Sequence, residues 1–263
     1  MELRGAVVVV TGASAGIGEA TALAFARHGS RVVLVARRAD RLEDLAARIE
    51  RHGGRALVVP CDVGDPERVA LLPAVVREAF GRCDVLVNNA GIPGGGPFAE
   101  LTSAQIEEIV RVNLLGVVHG TRAFWPGMLE QGHGHVVNVA SVAGRFATPG
   151  ASVYSATKHA VVAFSEALFY EGEPRGVLVT AVNPGLVATE GFPQDHVPSR
   201  LVMKPDRIAE AIVRAVRDGI APELMVPRWL SPLQAFRVLT PPLYRWGVRR
   251  MRGVGVRATK ARR

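Results

Sequence analysis

Seven runs of mostly apolar, β-branched residues punctuate this chain, at 6–10, 31–36, 56–59, 84–87, 136–140, 177–182 and 224–226. Continuous apolar runs of this length mark strands buried on both faces of a sheet. Stretches of helical period separate them. Residues 20–27 follow the first run, and Leu42, Leu45 and Ile49 recur at i, i+3 and i+7 before Gly53-Gly54. Val69, Leu72, Val76 and Phe80 repeat in the same way, with Pro73 expected in the first turn or at a kink. A long helix containing Asn113 is expected after a cap at Thr102 or Ser103, and further helices carry Tyr154 and follow Pro205. Gly132-His133-Gly134-His135 reads as a turn ahead of the fifth strand. This alternation predicts an α/β fold, a Rossmann-like doubly wound parallel sheet with helices on both faces. Residues 1–226 are expected to form one domain, and 227–263 a partly helical extension.

The strand ends gather the chemistry. Thr11-Gly12-Ala13-Ser14-Ala15-Gly16-Ile17-Gly18 joins the first strand to a helix. Such a turn offers free N–H groups and a helix dipole to an anion, and its glycines let backbone approach a pyrophosphate. The spacing is G-x-x-x-G-x-G, neither G-x-G-x-x-G nor a Walker loop, and a turn with only a packing role is the plain alternative. Arg37-Arg38 follow the second strand, where the adenosine ribose of a dinucleotide lies. An acid there holds the 2′-hydroxyl, whereas arginine accommodates a 2′-phosphate. No acid stands at 36 or 37, so NADP(H) is expected over NAD(H), unless both arginines are solvated loop charges. Asp62, with Val63, either meets the adenine or caps the next helix. Asn88-Asn89-Ala90-Gly91 suits a ligand crevice at a strand end. Asn113, among Val110, Val112, Leu114 and Leu115, is a buried amide that needs partners, in a site or in a bridge to backbone.

Ser141 closes the fifth run, and Tyr154 and Lys158, four apart, share one helix face. A tyrosine is a poor acid–base catalyst at neutral pH, with an ordinary pKa of about 10. A neighbouring ammonium favours the phenolate. With a serine steadying the same oxygen, the trio suits proton transfer to or from that oxygen.

In this order, the segments closely resemble the short-chain dehydrogenase/reductase family. The resemblance rests on Thr11-Gly12-x-x-x-Gly16-Ile17-Gly18, Asn88-Asn89-Ala90-Gly91, Asn113, Ser141, Tyr154-x-x-x-Lys158 and Asn183-Pro184-Gly185, within residues 6–189. It implies seven strands, a homo-oligomer (dimer or tetramer), and an NAD(P)H-dependent oxidoreductase acting between a small-molecule ketone or aldehyde and an alcohol. It implies that Tyr154 is the general acid/base and that Lys158 lowers its pKa and holds the nicotinamide ribose. Ser141 then bonds the substrate oxygen, and Asn113 holds a water relaying protons to Lys158. Implied cofactor contacts are Gly12, Ser14, Gly16, Ile17, Gly18, Arg37, Arg38, Asp62, Val63, Asn89, Ala90, Gly91, Tyr154, Lys158, Pro184, Gly185, Val187 and Thr189. Arg37 carries the family's NADP-type signal. Residues 185–203 match a mobile lid, and Phe192, Arg145 and Phe146 are candidates for the substrate pocket. A non-catalytic NADP-binding regulator or scaffold is the alternative, which the intact quartet of Asn113, Ser141, Tyr154 and Lys158 argues against.

Composition narrows the setting. No apolar run reaches the roughly 18 residues of a membrane-spanning helix. Cys61 and Cys83 are the only cysteines, which suits a reducing cytoplasm. His133-x-His135 lacks a third ligand nearby, so no metal is expected. The net charge of +8 is uneven: residues 223–263 hold ten basic residues and one acid, against 22 and 23 in the other 222. Trp229, Leu230, Leu233 and Phe236 suggest a short amphipathic helix, broken at Pro241-Pro242. A second is expected over 243–251, with Arg245, Arg249 and Arg252 on one basic face, then disorder over 253–263. Basic amphipathic helices with tryptophan suit peripheral contact with an anionic membrane, and a lipophilic substrate. The alternatives are an apolar face packed on the body or a solubilising end. No nucleic-acid reading motif accompanies the charge, so no nucleic-acid partner is expected.

Overall fold

The computed structural model describes residues 1–147, 149–192, 194 and 198–246. Seven strands, β1 (Val7–Thr11), β2 (Arg31–Ala36), β3 (Arg55–Pro60), β4 (Val85–Asn88), β5 (Gly134–Val139), β6 (Val177–Pro184) and β7 (Glu223–Val226), form one parallel sheet. Their order is β3-β2-β1-β4-β5-β6-β7. The helices are α1 (Gly16–Arg27), α2 (Ala39–Arg51), α3 (Pro66–Phe80), α4 (Ser103–Val110), α5 (Gly116–Gln131), α6 (Ser152–Gly172), α7 (Pro205–Asp218) and α8 (Ser231–Leu239). This is the doubly wound Rossmann-like sheet that the alternation predicts.

The apolar runs are unbroken because the inner strands bury both faces, while β3 at the edge is half-buried. Val8 and Val10 pack with Leu34, Phe25 of α1, Leu45 of α2 and Ile212 of α7. Val7 and Val9 point the other way, to Val33, Leu72 of α3 and Phe124 and Met128 of α5. A smaller cluster joins Val117 of α5 to Val161 and Val162 of α6 under Ala140 and Ala181.

Several boundaries differ from the sequence reading. Helix α1 begins inside the glycine stretch, at Gly16 rather than residue 20. Gly134 and His135 belong to β5, not to a turn. The His135 ring is buried on Thr180 Oγ1 at 2.7 Å, whereas His133 faces Asp84 Oδ1 at 3.0 Å, so the pair is divided between partners. Asp65, not Asp62, caps α3, accepting from the N–H groups of Glu67 and Arg68. Pro66 takes the first turn of that helix, and α3 runs on across Pro73. Thr102 caps α4 in a reciprocal box with Gln105. The long helix expected around Asn113 is interrupted by one π-helical turn, Arg111–Leu115.

The extension leaves β7 through a 3-10 turn, Arg228–Leu230, into α8, and the chain is helical again from 241 to 246. The prolines thus start the second helix, since the missing N–H of a proline is tolerated in a first turn. The expectations for Arg249, Arg252 and the 253–263 end lie outside the described residues. No described helix is long and apolar enough to cross a membrane.

Candidate active site

The strand order reverses between β1 and β4, and a crevice opens there beyond the carboxyl ends of the strands. A cleft of about 790 Å³ occupies it. Its wall includes Gly12, Ser14, Gly16, Ile17, Arg37, Arg38, Asp62, Val63, Asn89, Ala90, Gly91, Ser141, Tyr154, Lys158, Pro184, Gly185, Val187 and Thr189. Of the residues singled out for cofactor and catalysis, Gly18 and Asn113 stand behind this wall.

On the β1 side the site is made of backbone. Gly12 has φ +66°, and a Cβ there would stand 2.8 Å from Ala90 Cα. A Cβ on Gly18 would run into Gly12 O. The glycines therefore allow the turn, α1 and the end of β4 to close on one another. Thr11 Oγ1 accepts from the N–H of Asn89 (3.0 Å) and Ala90 (3.1 Å) and donates to Val87 O, fastening β4 to β1. The Asn89 amide donates to Thr11 O at 2.9 Å and braces the turn. No side chain caps α1, so its first N–H groups face the cleft end of the helix dipole. Room, glycine cradle and uncapped helix together fit a nicotinamide dinucleotide.

Arg38 donates to Ser14 Oγ at 3.0 Å and pairs with Glu190 at 3.0 Å. Arg37 lines the same end of the cleft. Asp62 accepts from Gly64 N and from Arg111 Nη1, both at 3.0 Å. Burial alone would raise its pKa, but those two donors hold it below the ordinary value.

On the β5 side the site is made of side chains, Lys158 and Asn113 buried and Ser141 and Tyr154 half-buried. Gly144, in the 3-10 turn Val142–Gly144, approaches α6 so closely that a Cβ would stand 2.7 Å from Lys158 O. This brings Ser141 against Tyr154. Burial raises the Tyr154 pKa, and the hydrogen bond from Ser141 opposes that shift. Ser141 Oγ itself accepts from Ala143 N at 3.1 Å, which leaves its own proton to donate. Lys158 is 4% exposed, donates to Val139 O at 2.8 Å, and lies 5.7 Å from the centre of the Tyr154 ring. Burial lowers its pKa to about 8. Asn113 accepts from Ile92 N at 2.8 Å and donates to Ile92 O at 2.9 Å, so its amide is the bridge to backbone. That clamp sits beside Lys158: a Cβ on Gly91 would be 3.3 Å from Asn113 Oδ1 and 3.8 Å from Lys158 Nζ.

The segment after β6 crosses the cleft, with Phe192 5.9 Å from the Tyr154 ring, centre to centre. It is rooted by a bridge between Val187 and Met203. Arg145 and Phe146, expected in the substrate pocket, turn away from it. Arg145 binds the half-buried Glu223 of β7 through two bonds of 3.0 and 2.6 Å. Phe146 faces Tyr244 of the extension at 6.3 Å. The sequence reading gave Thr11 no role of its own and missed Ile92, Arg111 and Glu190. Thr11 directly precedes the glycine turn, but its role depends on residues 76–79 positions away.

A sequence profile of short chain dehydrogenases matches residues 6–196. The ketoacyl reductase HetN of Nostoc sp. is 35% identical over 220 residues, covering 82% of this chain and 77% of that one. A short chain dehydrogenase/reductase of Burkholderia phymatum, solved with NAD, superposes with a TM-score of 0.83 at 28% identity, over 92% of this chain and 96% of that one. An alcohol dehydrogenase of the archaeon Thermococcus sibiricus, solved with 5-hydroxy-NADP, gives 0.77 at 34% identity, over 84% and 96%.

Proposed function

The chain belongs to the short chain dehydrogenase family, and on that footing we propose that it reduces a ketone or aldehyde with NADPH, or oxidises the corresponding alcohol with NADP. The observation that carries this reading is the meeting of Ser141, Tyr154 and Lys158 in one corner of the cleft. The bound nicotinamide supplies or accepts the hydride. Tyr154 gives its phenolic proton to the carbonyl oxygen in reduction, or takes the hydroxyl proton in oxidation. Ser141, fixed as an acceptor by Ala143 N, turns the proton it shares with Tyr154 towards the same substrate oxygen. Lys158 uses one of its three protons on Val139 O, and the others can reach the ribose and stabilise the Tyr154 phenolate. Asn113 sets Ile92 and Gly91 opposite Lys158, and a water between them completes the proton path.

The two arginines after β2 favour NADPH, with Arg37, Arg38 and Ser14 around the 2′-phosphate. The chain works as a homo-oligomer in the cytoplasm, as a catalytic body of residues 1–226 with the extension making peripheral membrane contact. That placement suits a lipophilic carbonyl substrate.

Oxidation of NADPH, and separately NADH, with a panel of aldehydes and ketones tests the reading. Tyr154→Phe should lower turnover by about 10²–10⁴-fold while leaving cofactor affinity unchanged. Retained activity would remove Tyr154 from the chemistry. Wild-type cofactor binding with no turnover on any carbonyl would favour the non-catalytic regulator.

A further inference from the structure

Helix α8 is built inside out. Its body-facing positions are polar: Gln234 donates to Glu223 at 3.0 Å, and Arg237 meets His159 of α6 at 3.4 Å and lies over the Tyr244 ring. Its outward positions are apolar: Leu233, Phe236, Val238 and Leu239 are all exposed, the last two by 73% and 78%. Trp229 before it and Leu243 after it are exposed as well. A helix at the surface of a globular body normally does the reverse, and a contiguous exposed apolar patch marks a docking surface.

Charge selects the occupant. Arg228 and Arg245 flank the patch, and residues 247–263 add seven basic residues and no acid. A second copy seated symmetrically on this face would bring two such segments together and repel. Anionic lipid headgroups neutralise the same charge, while the apolar side chains enter the headgroup–acyl boundary. We infer that α8 and its flanking turns seat the protein on an anionic membrane surface, apolar face down. This rests on the peripheral contact proposed above and names its face and its lipid class. The seat also adjoins the site. Pro227 Cδ lies 3.6 Å from the Cβ position of Gly185, at the root of the segment that crosses the cleft, and Leu186 and Leu201 of that segment are exposed.

The test is co-sedimentation of the full chain with two vesicles, phosphatidylcholine alone and a mixture with one third phosphatidylglycerol. Binding to the anionic vesicle should be at least about tenfold tighter, and should weaken with salt. Val238→Asp with Leu239→Asp should reduce it to the neutral-vesicle level, with NADPH binding and circular dichroism unchanged. If the pair fails to fold, Leu239→Asp alone serves. No binding to either vesicle overturns the membrane contact itself. Equal binding to both overturns the lipid class. Anionic binding that survives the aspartates keeps the contact but overturns the face. Self-association abolished by the aspartates makes a second copy the occupant and overturns the inference.

Discussion

Helices α6 and α8 break the ordinary burial rule in opposite directions, and they touch each other through His159 and Arg237. Helix α6 buries Lys158, Ser155, Thr157 and Ser165. Helix α8 buries none of its residues and turns its leucines, valine and phenylalanine outward. Neither pattern maximises stability. A buried ammonium costs free energy unless its surroundings compensate, and exposed apolar side chains forgo burial. Departures of this kind concentrate where a protein does something other than fold. In α6 the departure places a buried ammonium at the wall of the cleft. In α8 it leaves a surface waiting for a partner.

Replacing Lys158 should show the largest effect. Its pKa falls from 10.5 in the unfolded chain to about 8 in the fold, through burial. Below pH 8 both states carry the proton, and the folded state bears the full penalty. Between 8 and 10.5 the unfolded chain still binds the proton while the folded one has lost it, so wild-type stability rises with pH. Lys158→Met should therefore stabilise the fold by up to about 3 kcal/mol at pH 7, with the gain fading as pH approaches 10.5. Turnover should fall by about 10²–10⁴-fold. Urea unfolding of both proteins at pH 7 and pH 10.5, with an activity assay, measures this. A variant less stable than wild type at pH 7 would mean that the ammonium is compensated by its surroundings.

How much of this was legible in the sequence follows the range of the interactions. The seven strands could be read because burial on both faces leaves a local, continuous apolar run. The candidate catalytic residues could be read as residues, since Tyr154 and Lys158 lie on one helix turn. What escaped depends on distant partners. Gly134 and His135 extend β5 because Thr180, 45 residues on, satisfies the imidazole. The π turn accompanies an amide that clamps Ile92, 21 residues back. Arg145 looked like a pocket residue until Glu223 claimed it. The periodicity of α8 was plain, but which side faces the body was decided by Glu223 and His159, invisible to any local window.

A smaller effect is expected where the segment after β6 meets the Arg37–Arg38 end of the cleft. Glu190 pairs with Arg38 at 3.0 Å and with Arg41 at 3.5 Å. Its carboxylate engages a guanidinium that the proposed function assigns to a 2′-phosphate. These groups are about half exposed, so the pairs are screened and weak. Glu190→Gln should tighten NADPH by about two- to fivefold and leave NADH unchanged, with the difference shrinking at high salt. Fluorescence titration of both cofactors checks this. Equal changes for both would mean that Glu190 does not act through the 2′-phosphate.

The smallest effect should come from α8, and it sharpens the contrast with α6. Leu239→Gln keeps helix propensity nearly constant and removes an apolar side chain that is 78% exposed. Stability should change by less than about 0.5 kcal/mol. Val161→Gln on α6, at a fully buried position, should cost about 2 kcal/mol or more, since it puts an amide where no water reaches. Thermal unfolding at two protein concentrations measures both. If Leu239→Gln destabilises strongly and more so at high concentration, the outward face of α8 is already covered by another copy. An effect near zero at both concentrations means that the outward apolar side chains are not needed for folding, so their presence there has to be explained by what binds them.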